Sequence, residues 1–171
     1  MPIQNLNNLY ISGVDFESIA DGTGCRTVIF ISGCSHHCHN CHSPDTQNFT
    51  SGEKVTPELI EYLNTEMKKR PFLSGISLSG GDPMDSANLV NQLLEKLYIP
   101  KNNIWCYTGY TYEQIINDPI KNQLLQHIDT LVDSPYIDTL HDASLKFKGS
   151  SNQRIINVKQ SIQKGKIVME D

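Results

Sequence analysis

Three cysteines lie close together in the first quarter of this chain. Cys34, Cys38 and Cys41 fall within eight residues and follow the apolar run 28–31, which predicts a strand. The thiols therefore sit on the loop at a strand end and converge on one point. Soft sulfur ligands select zinc, Cu(I) or iron–sulfur clusters, so this loop predicts a metal centre.

The number of cysteines favours a cluster over a structural zinc. A structural zinc site is closed by four ligands, in two pairs about a dozen or more residues apart, and no second Cys-x-x-Cys follows here. Three cysteines on a 4Fe-4S cluster leave one iron open to a substrate. In a zinc site the loop histidines would be ligands; in the cluster interpretation most are solvated or donate hydrogen bonds to sulfur. These histidines are His36, His37, His39 and His42.

The two remaining cysteines bring the total to five, which is a poor framework for disulfides and fits a reducing compartment. Cys25 is expected to be a small buried residue at the start of a strand rather than a fourth ligand of the metal. Cys106 lies in an apolar run and is expected in the core.

Charge and hydropathy exclude several classes of partner. The 171 residues carry 14 Lys+Arg against 19 Asp+Glu, a net charge of -5, and nucleic-acid binding needs a basic face. There is no signal-peptide pattern, and no apolar run approaches the roughly 20 residues of a membrane span. We expect a cytoplasmic protein with neither a nucleic-acid nor a membrane partner.

Strand and helix patterns alternate along the chain and predict an α/β fold with a parallel sheet. Strands are predicted at about 26–32, 75–79, 103–107, 130–133 and 155–158, after a strand or two before residue 24. Helices are predicted at about 57–70, 85–97 and 111–127, the last interrupted at Pro119. We expect one domain, 1–171, with a core at about 10–158 and a C-terminal tail, 159–171, that frays.

Ligands of parallel sheets collect at the carboxyl ends of the strands. Four segments directly follow predicted strands and are expected to share one rim: the cysteine loop, Gly80-Gly81, Thr108-Gly109 and Asp133.

The segment Gly80-Gly81-Asp82-Pro83 is the second motif. Its glycines let the main chain approach a ligand, and carbonyls at a strand end can accept hydrogen bonds from an ammonium group. Together with Cys-x-x-x-Cys-x-x-Cys, it resembles the Gly-Gly-Glu-Pro motif of radical S-adenosylmethionine (SAM) enzymes, with Asp82 in place of glutamate. That resemblance implies a 4Fe-4S cluster on the cysteines and SAM bound at Gly80, Gly81 and Asp82.

The resemblance also implies the reaction. The amino and carboxylate groups of SAM chelate the open iron, and one electron then cleaves the sulfonium to methionine and a 5'-deoxyadenosyl radical. Many radical SAM enzymes have an aromatic residue just before the third cysteine, where this chain has Asn40. The nearest candidates for adenine packing are Asn40, Cys41 and His42.

Six motifs in order make the whole chain similar to the activating proteins of anaerobic, class III ribonucleoside-triphosphate reductase. They are the segments 21–24, 34–42, 77–83, 105–110, 131–133 and 149–154. The resemblance implies an incomplete, partial TIM-like barrel and an oxidoreductase that forms a glycyl radical on the large reductase subunit. It further implies an electron donor such as flavodoxin or ferredoxin.

Two other functions remain open. One is activation of another glycyl-radical enzyme such as pyruvate formate-lyase, although the segment 149–154 argues against it. The other is a non-catalytic zinc-binding module. The segment 152–154 is also a candidate for contact with SAM or with the partner.

Overall fold

A computed structural model describes residues 5–170 of the chain. The strands are β1 Tyr10–Ser18, β2 Arg26–Ile31, β3 Glu53–Lys54, β4 Gly75–Gly80, β5 Ile104–Tyr107, β6 Thr130–Asp133 and β7 Arg154–Asn157. The α-helices are α1 Pro57–Lys68, α2 Ala87–Lys96, α3 Tyr112–Ile116, α4 Pro119–Leu125 and α5 Val158–Lys164. Short 3-10 helices cover Leu6–Asn8, Pro44–Gln47, Pro83–Ser86, Pro100–Asn102 and Asp138–Leu140.

Within residues 5–170 the strands form one seven-stranded sheet in the order β3-β1-β2-β4-β5-β6-β7. The strands β2, β4, β5 and β6 run parallel, and β1 and β7 flank them antiparallel. The two edge strands β3 and β7 lie at opposite ends of this order, so the sheet is open. The α/β class and the mostly parallel sheet are confirmed, whereas the partial-barrel form stays a prediction.

Local capping signals explain where the helices begin. The Thr56 side chain accepts a hydrogen bond from the Leu59 amide, with proline as the first residue of α1. Thr111 and Gln114 form the predicted capping box at α3. Asp118 caps α4 directly after the interruption. Because each cap involves residues next to one another in the chain, the sequence predicts these starts well.

The core lies between the helices and one face of the sheet. Side chains alternate between the two faces of a strand, so one set of residues from β4, β5 and β6 turns to the helices. These are Ile76, Leu78, Cys106 and Leu131, all with no exposed surface. Cys106 is therefore a core residue, as predicted. The opposite face is more polar: Arg26, almost fully buried, donates to Ser77 Oγ at 3.0 Å and lies over the Trp105 ring.

The C-terminal segment forms a helix and a returning segment over the residues that the structure describes. Helix α5 ends at Gly165 in the left-handed conformation, and the chain then turns back. The Asn157 amide donates to the Val168 carbonyl and the Glu170 amide to the Ile155 carbonyl, both at 2.8 Å. The returning segment thus supplies hydrogen-bond partners to the edge strand β7.

The helices in the described range are all too short or too polar to cross a membrane.

Candidate cofactor site at the carboxyl ends of the strands

A pocket of about 210 Å³ lies at the carboxyl ends of the parallel strands. It is lined by Cys34, His36, Cys38, Cys41, His42, Ser43, Ser79, Gly80, Gly81, Asp82, Tyr107, Thr108, Gly109, Ser134, Tyr136, Gly149 and Gln153. The predicted shared rim is confirmed for the cysteine loop, Gly80-Gly81 and Thr108-Gly109. Asp133 is fully buried, and the next residue, Ser134, lines the pocket instead.

The cysteine loop is anchored through its main chain. Gly33, with φ 105, turns the chain after β2, and its amide donates to the Thr46 carbonyl at 2.7 Å. The Cys34 amide donates to the Gln47 carbonyl at 3.1 Å, and the Cys41 amide to the Cys38 carbonyl at 3.2 Å. The loop therefore holds three free, partly exposed thiols against one pocket. This donor set fits a 4Fe-4S cluster, of which three irons would be held by these thiols.

The surroundings of Cys34 disfavour its thiolate. Burial raises its pKa to about 11, and the negative charges of Asp82 and Asp85 act in the same direction. Without metal the thiol keeps its proton. Metal binding at this position therefore displaces a proton and becomes weaker as the pH falls.

Cys25 lies far from the other thiols. It immediately precedes β2, whereas the cysteine loop follows the carboxyl end of the same strand. Six residues at about 3.3 Å each separate the two ends by roughly 20 Å. Cys25 is too distant to be a fourth ligand of the same metal centre.

Asp82 is the most heavily bonded side chain of the site. It is 1% exposed, and its Oδ2 accepts hydrogen bonds from His36 Nε2 at 2.6 Å, Thr108 Oγ1 at 3.0 Å and the Gly109 amide at 2.9 Å. Its Oδ1 accepts from the Met84 amide at 2.9 Å. The carboxylate is therefore committed to protein donors, and a ligand in the pocket meets the main chain of this segment.

His36 bonds Asp82 through its imidazole, and its main chain makes a hydrogen bond to the Cys34 thiol. The hydrogen bond to Asp82 raises the pKa of its imidazole, although burial opposes the effect. The two residues are far apart in the chain, and sequence spacing contains no signal for their contact.

A second aspartate, Asp85, holds the neighbouring residue of the loop. Its carboxylate accepts from the Ser35 amide at 2.8 Å, from Ser35 Oγ at 3.0 Å and from Tyr110 Oη. Burial and this bond together raise the pKa of Tyr110 to about 12. Sequence reasoning missed Ser35, Asp85 and Tyr110; only the position of Asp85 just after the glycine motif hints at a role.

Aromatic rings form the other side of the pocket. The centroid of the His42 ring lies 4.8 Å from the ring centroid of Tyr136 and 5.3 Å from that of His141. Of the adenine candidates, Cys41 and His42 line the pocket. Asn40 is not among the lining residues that the structure describes; it donates to Asp138 Oδ2 at 2.9 Å and holds the loop from outside.

The residues of the segment 152–154 have different roles. Gln153 lines the pocket, and its side chain donates to the Ser134 carbonyl and accepts from the Gly149 amide. Arg154 instead donates to both oxygens of Asp133, at 3.0 and 2.6 Å, and to Glu113 at 2.8 Å. The hydrogen bonds to Asp133 raise the pKa of Arg154 well above its usual range. Arg154 therefore joins β7 to β6 and is not a pocket residue.

We expect Arg154→Met to destabilise the fold by about 3 kcal/mol, since it leaves the fully buried carboxylate of Asp133 without its cationic partner. Urea denaturation followed by circular dichroism measures this loss. Arg70→Met is the matched control, because Arg70 also bonds two carboxylates, Glu17 and Glu66, but at the protein surface. Equal losses in the two variants would show that the burial of Asp133 does not matter.

Comparisons with known proteins give a consistent family. A family model described as a 4Fe-4S single cluster domain matches residues 20–156. Three relatives bear the name anaerobic ribonucleoside-triphosphate reductase-activating protein. That of Vibrio cholerae is 39% identical over 80% of this chain and 90% of its own length. That of Escherichia coli K12 is 36% identical, with 79% and 90% covered, and that of phage T4 is 33% identical, with 79% and 85% covered.

Proposed function

Because this chain belongs to the family of anaerobic ribonucleoside-triphosphate reductase-activating proteins and contains a 4Fe-4S single cluster domain, we propose that it is a cytoplasmic radical SAM activase. Its substrate is the large subunit of the anaerobic reductase, on which it forms a glycyl radical. The observation that carries the proposal is the convergence of three thiols and a Gly-Gly strand end on one pocket.

Cys34, Cys38 and Cys41 would hold three irons of a 4Fe-4S cluster and leave the fourth iron for SAM. Such a cluster, when bound and reduced, would supply the electron that cleaves SAM to methionine and a 5'-deoxyadenosyl radical. An electron donor such as flavodoxin or ferredoxin restores the reduced state.

The protein's own groups position SAM. Gly80 and Gly81 bring the main chain to the pocket, where carbonyl groups can accept hydrogen bonds from the methionyl ammonium. The Asp82 carboxylate is occupied by protein donors, so this residue contributes through its main chain and through the loops that it holds. Cys41 and His42 provide the side on which adenine packs, and Asn40 keeps their loop in place through Asp138.

We infer that the open sheet is the incomplete barrel expected of this family. The pocket lies at the carboxyl rim, and the missing strands leave a flank through which a segment of the reductase can approach. The glycine Cα must reach this pocket, because a radical formed there abstracts hydrogen from a C–H bond that lies next to it.

Anaerobic reconstitution with iron and sulfide tests the proposal. We expect a brown protein with broad absorption near about 400 nm, and 5'-deoxyadenosine and methionine when SAM and a reductant are added. With the purified reductase we expect a glycyl-radical signal by electron paramagnetic resonance. A colourless protein that retains zinc would contradict the proposal, and activation of pyruvate formate-lyase instead would redirect it to the other class of activator.

A further inference from the structure

The His36 side chain is closely surrounded by Asp82, Tyr110 and Gly109. Nε2 bonds Asp82 Oδ2 at 2.6 Å, and the ring stands edge-on to Tyr110 with centroids 4.5 Å apart. A Cβ atom at Gly109 would lie 2.8 Å from two ring atoms, so a glycine is needed there. The ring is thus bonded on one side and enclosed on two others.

The contact joins three loops that are far apart in sequence. His36 belongs to the cysteine loop, and Thr108 and Gly109 belong to the loop after β5. These three donors meet at the carboxylate of Asp82, in the loop after β4. Asp85 makes a similar contact with the neighbouring residue of the cysteine loop. Its carboxylate accepts hydrogen bonds from Ser35 and from Tyr110. The segment between Cys34 and Cys38 is therefore held by two aspartates.

The Asp82 carboxylate also places a buried negative charge beside the cysteine loop. It is 1% exposed, lines the same pocket as the three thiols, and bonds the segment between Cys34 and Cys38 through His36. A buried negative charge next to this pocket would disfavour an added electron on a cluster bound there, because like charges repel strongly where little water screens them. The His36 side chain is the hydrogen-bond donor from the cysteine loop to this carboxylate.

We propose that His36 is a positioning residue for the cluster: its hydrogen bond to Asp82 fixes the segment between Cys34 and Cys38 and compensates the buried carboxylate, which keeps the cluster reducible. The proposal rests on the cluster ligands assigned under the proposed function. It places His36 among the outer groups that tune a metal centre without binding it.

Three single variants separate the hydrogen bond from the ring. His36→Phe keeps a ring against Tyr110 and removes the donor, whereas His36→Gln removes the ring and keeps a donor for Asp82. His39→Phe is the matched control, because His39 is exposed on the same loop. Each variant is reconstituted anaerobically, its iron and sulfide are counted, and the midpoint potential of the cluster is measured by redox titration without SAM.

We expect His36→Phe to lower the equilibrium constant for cluster reduction about tenfold, which is a shift of about 59 mV for one electron. We expect His36→Gln to lie between this variant and the unmodified protein, and His39→Phe to match the unmodified protein. The iron content and the thermal unfolding of the reconstituted proteins should be alike. Equal potentials in His36→Phe and the unmodified protein, or an equal shift in His39→Phe, would overturn the proposal.

Asp82→Asn provides a test of opposite sign that does not depend on recovering His36→Phe. It removes the charge but keeps an oxygen that can accept from Thr108 and Gly109, so we expect cluster reduction to become about tenfold more favourable, again about 59 mV. An unchanged or lower potential would refute the role given to the carboxylate. Because these measurements need neither SAM nor reductase, a cluster that fails to cleave SAM would contradict only the proposed function.

Discussion

Replacement of any one of Cys34, Cys38 and Cys41 by alanine is expected to abolish SAM cleavage. Each thiol supplies one of three protein ligands to the proposed cluster, and a cluster with two remaining ligands is not retained in a form that binds SAM. Iron and sulfide should fall together with 5'-deoxyadenosine formation, which reports cleavage directly. Liquid chromatography of the reaction mixture measures the nucleoside, and its level should drop to that of a reaction without protein.

The other two cysteines are the controls for this experiment. Cys106 is fully buried in the core, and Cys25 lies at the opposite end of β2 from the pocket. Cys25→Ala and Cys106→Ala should therefore keep both the iron content and the cleavage reaction, although Cys106→Ala leaves a small cavity. Cleavage that persists in a variant of the cysteine triad would refute the assignment of the cluster ligands.

Gly81→Ala is expected to impair both the cluster and SAM binding. A Cβ atom at this position would lie 2.4 Å from the Gly33 carbonyl oxygen and 2.7 Å from that of Thr46. Both are main-chain atoms, which cannot turn aside as a side chain can. The Gly33 carbonyl also accepts from the Asp82 amide at 2.8 Å and directly precedes Cys34. The added methyl group therefore pushes the cysteine loop away from the end of β4.

The expected measurement is a reduced iron content after reconstitution, together with weaker SAM binding in equilibrium dialysis. The sequence alone predicts only the second effect, because it shows a glycine near a ligand but not the loop behind it. Gly13→Ala is the control, since a Cβ there meets only the Phe30 side chain, at 3.9 Å. Normal iron and SAM affinity in Gly81→Ala would mean that the close approach of the two loops is not required.

The sequence determined the features that depend on neighbours in the chain. Spacing alone singled out the three thiols of the proposed metal centre, and alternating patterns predicted the parallel strands and their shared rim. Capping residues such as Thr56 and Thr111 marked the helix starts, because a cap bonds an amide two or three residues away. The short helix α5 and the returning segment that bonds the edge strand β7 were not predicted, because their contacts join residues separated along the chain.

The tertiary structure decided which polar groups meet at the pocket and in the strands behind it. His36 with Asp82, Ser35 with Asp85, and Arg154 with Asp133 are pairs distant in sequence. The sequence contains these residues but not their pairing, because each contact forms only when crossovers bring separate strand ends to one rim. A buried carboxylate requires donors wherever the fold brings it. The local chain therefore set the ligands of the proposed cluster, and the packing of the sheet set the charges and hydrogen bonds around them.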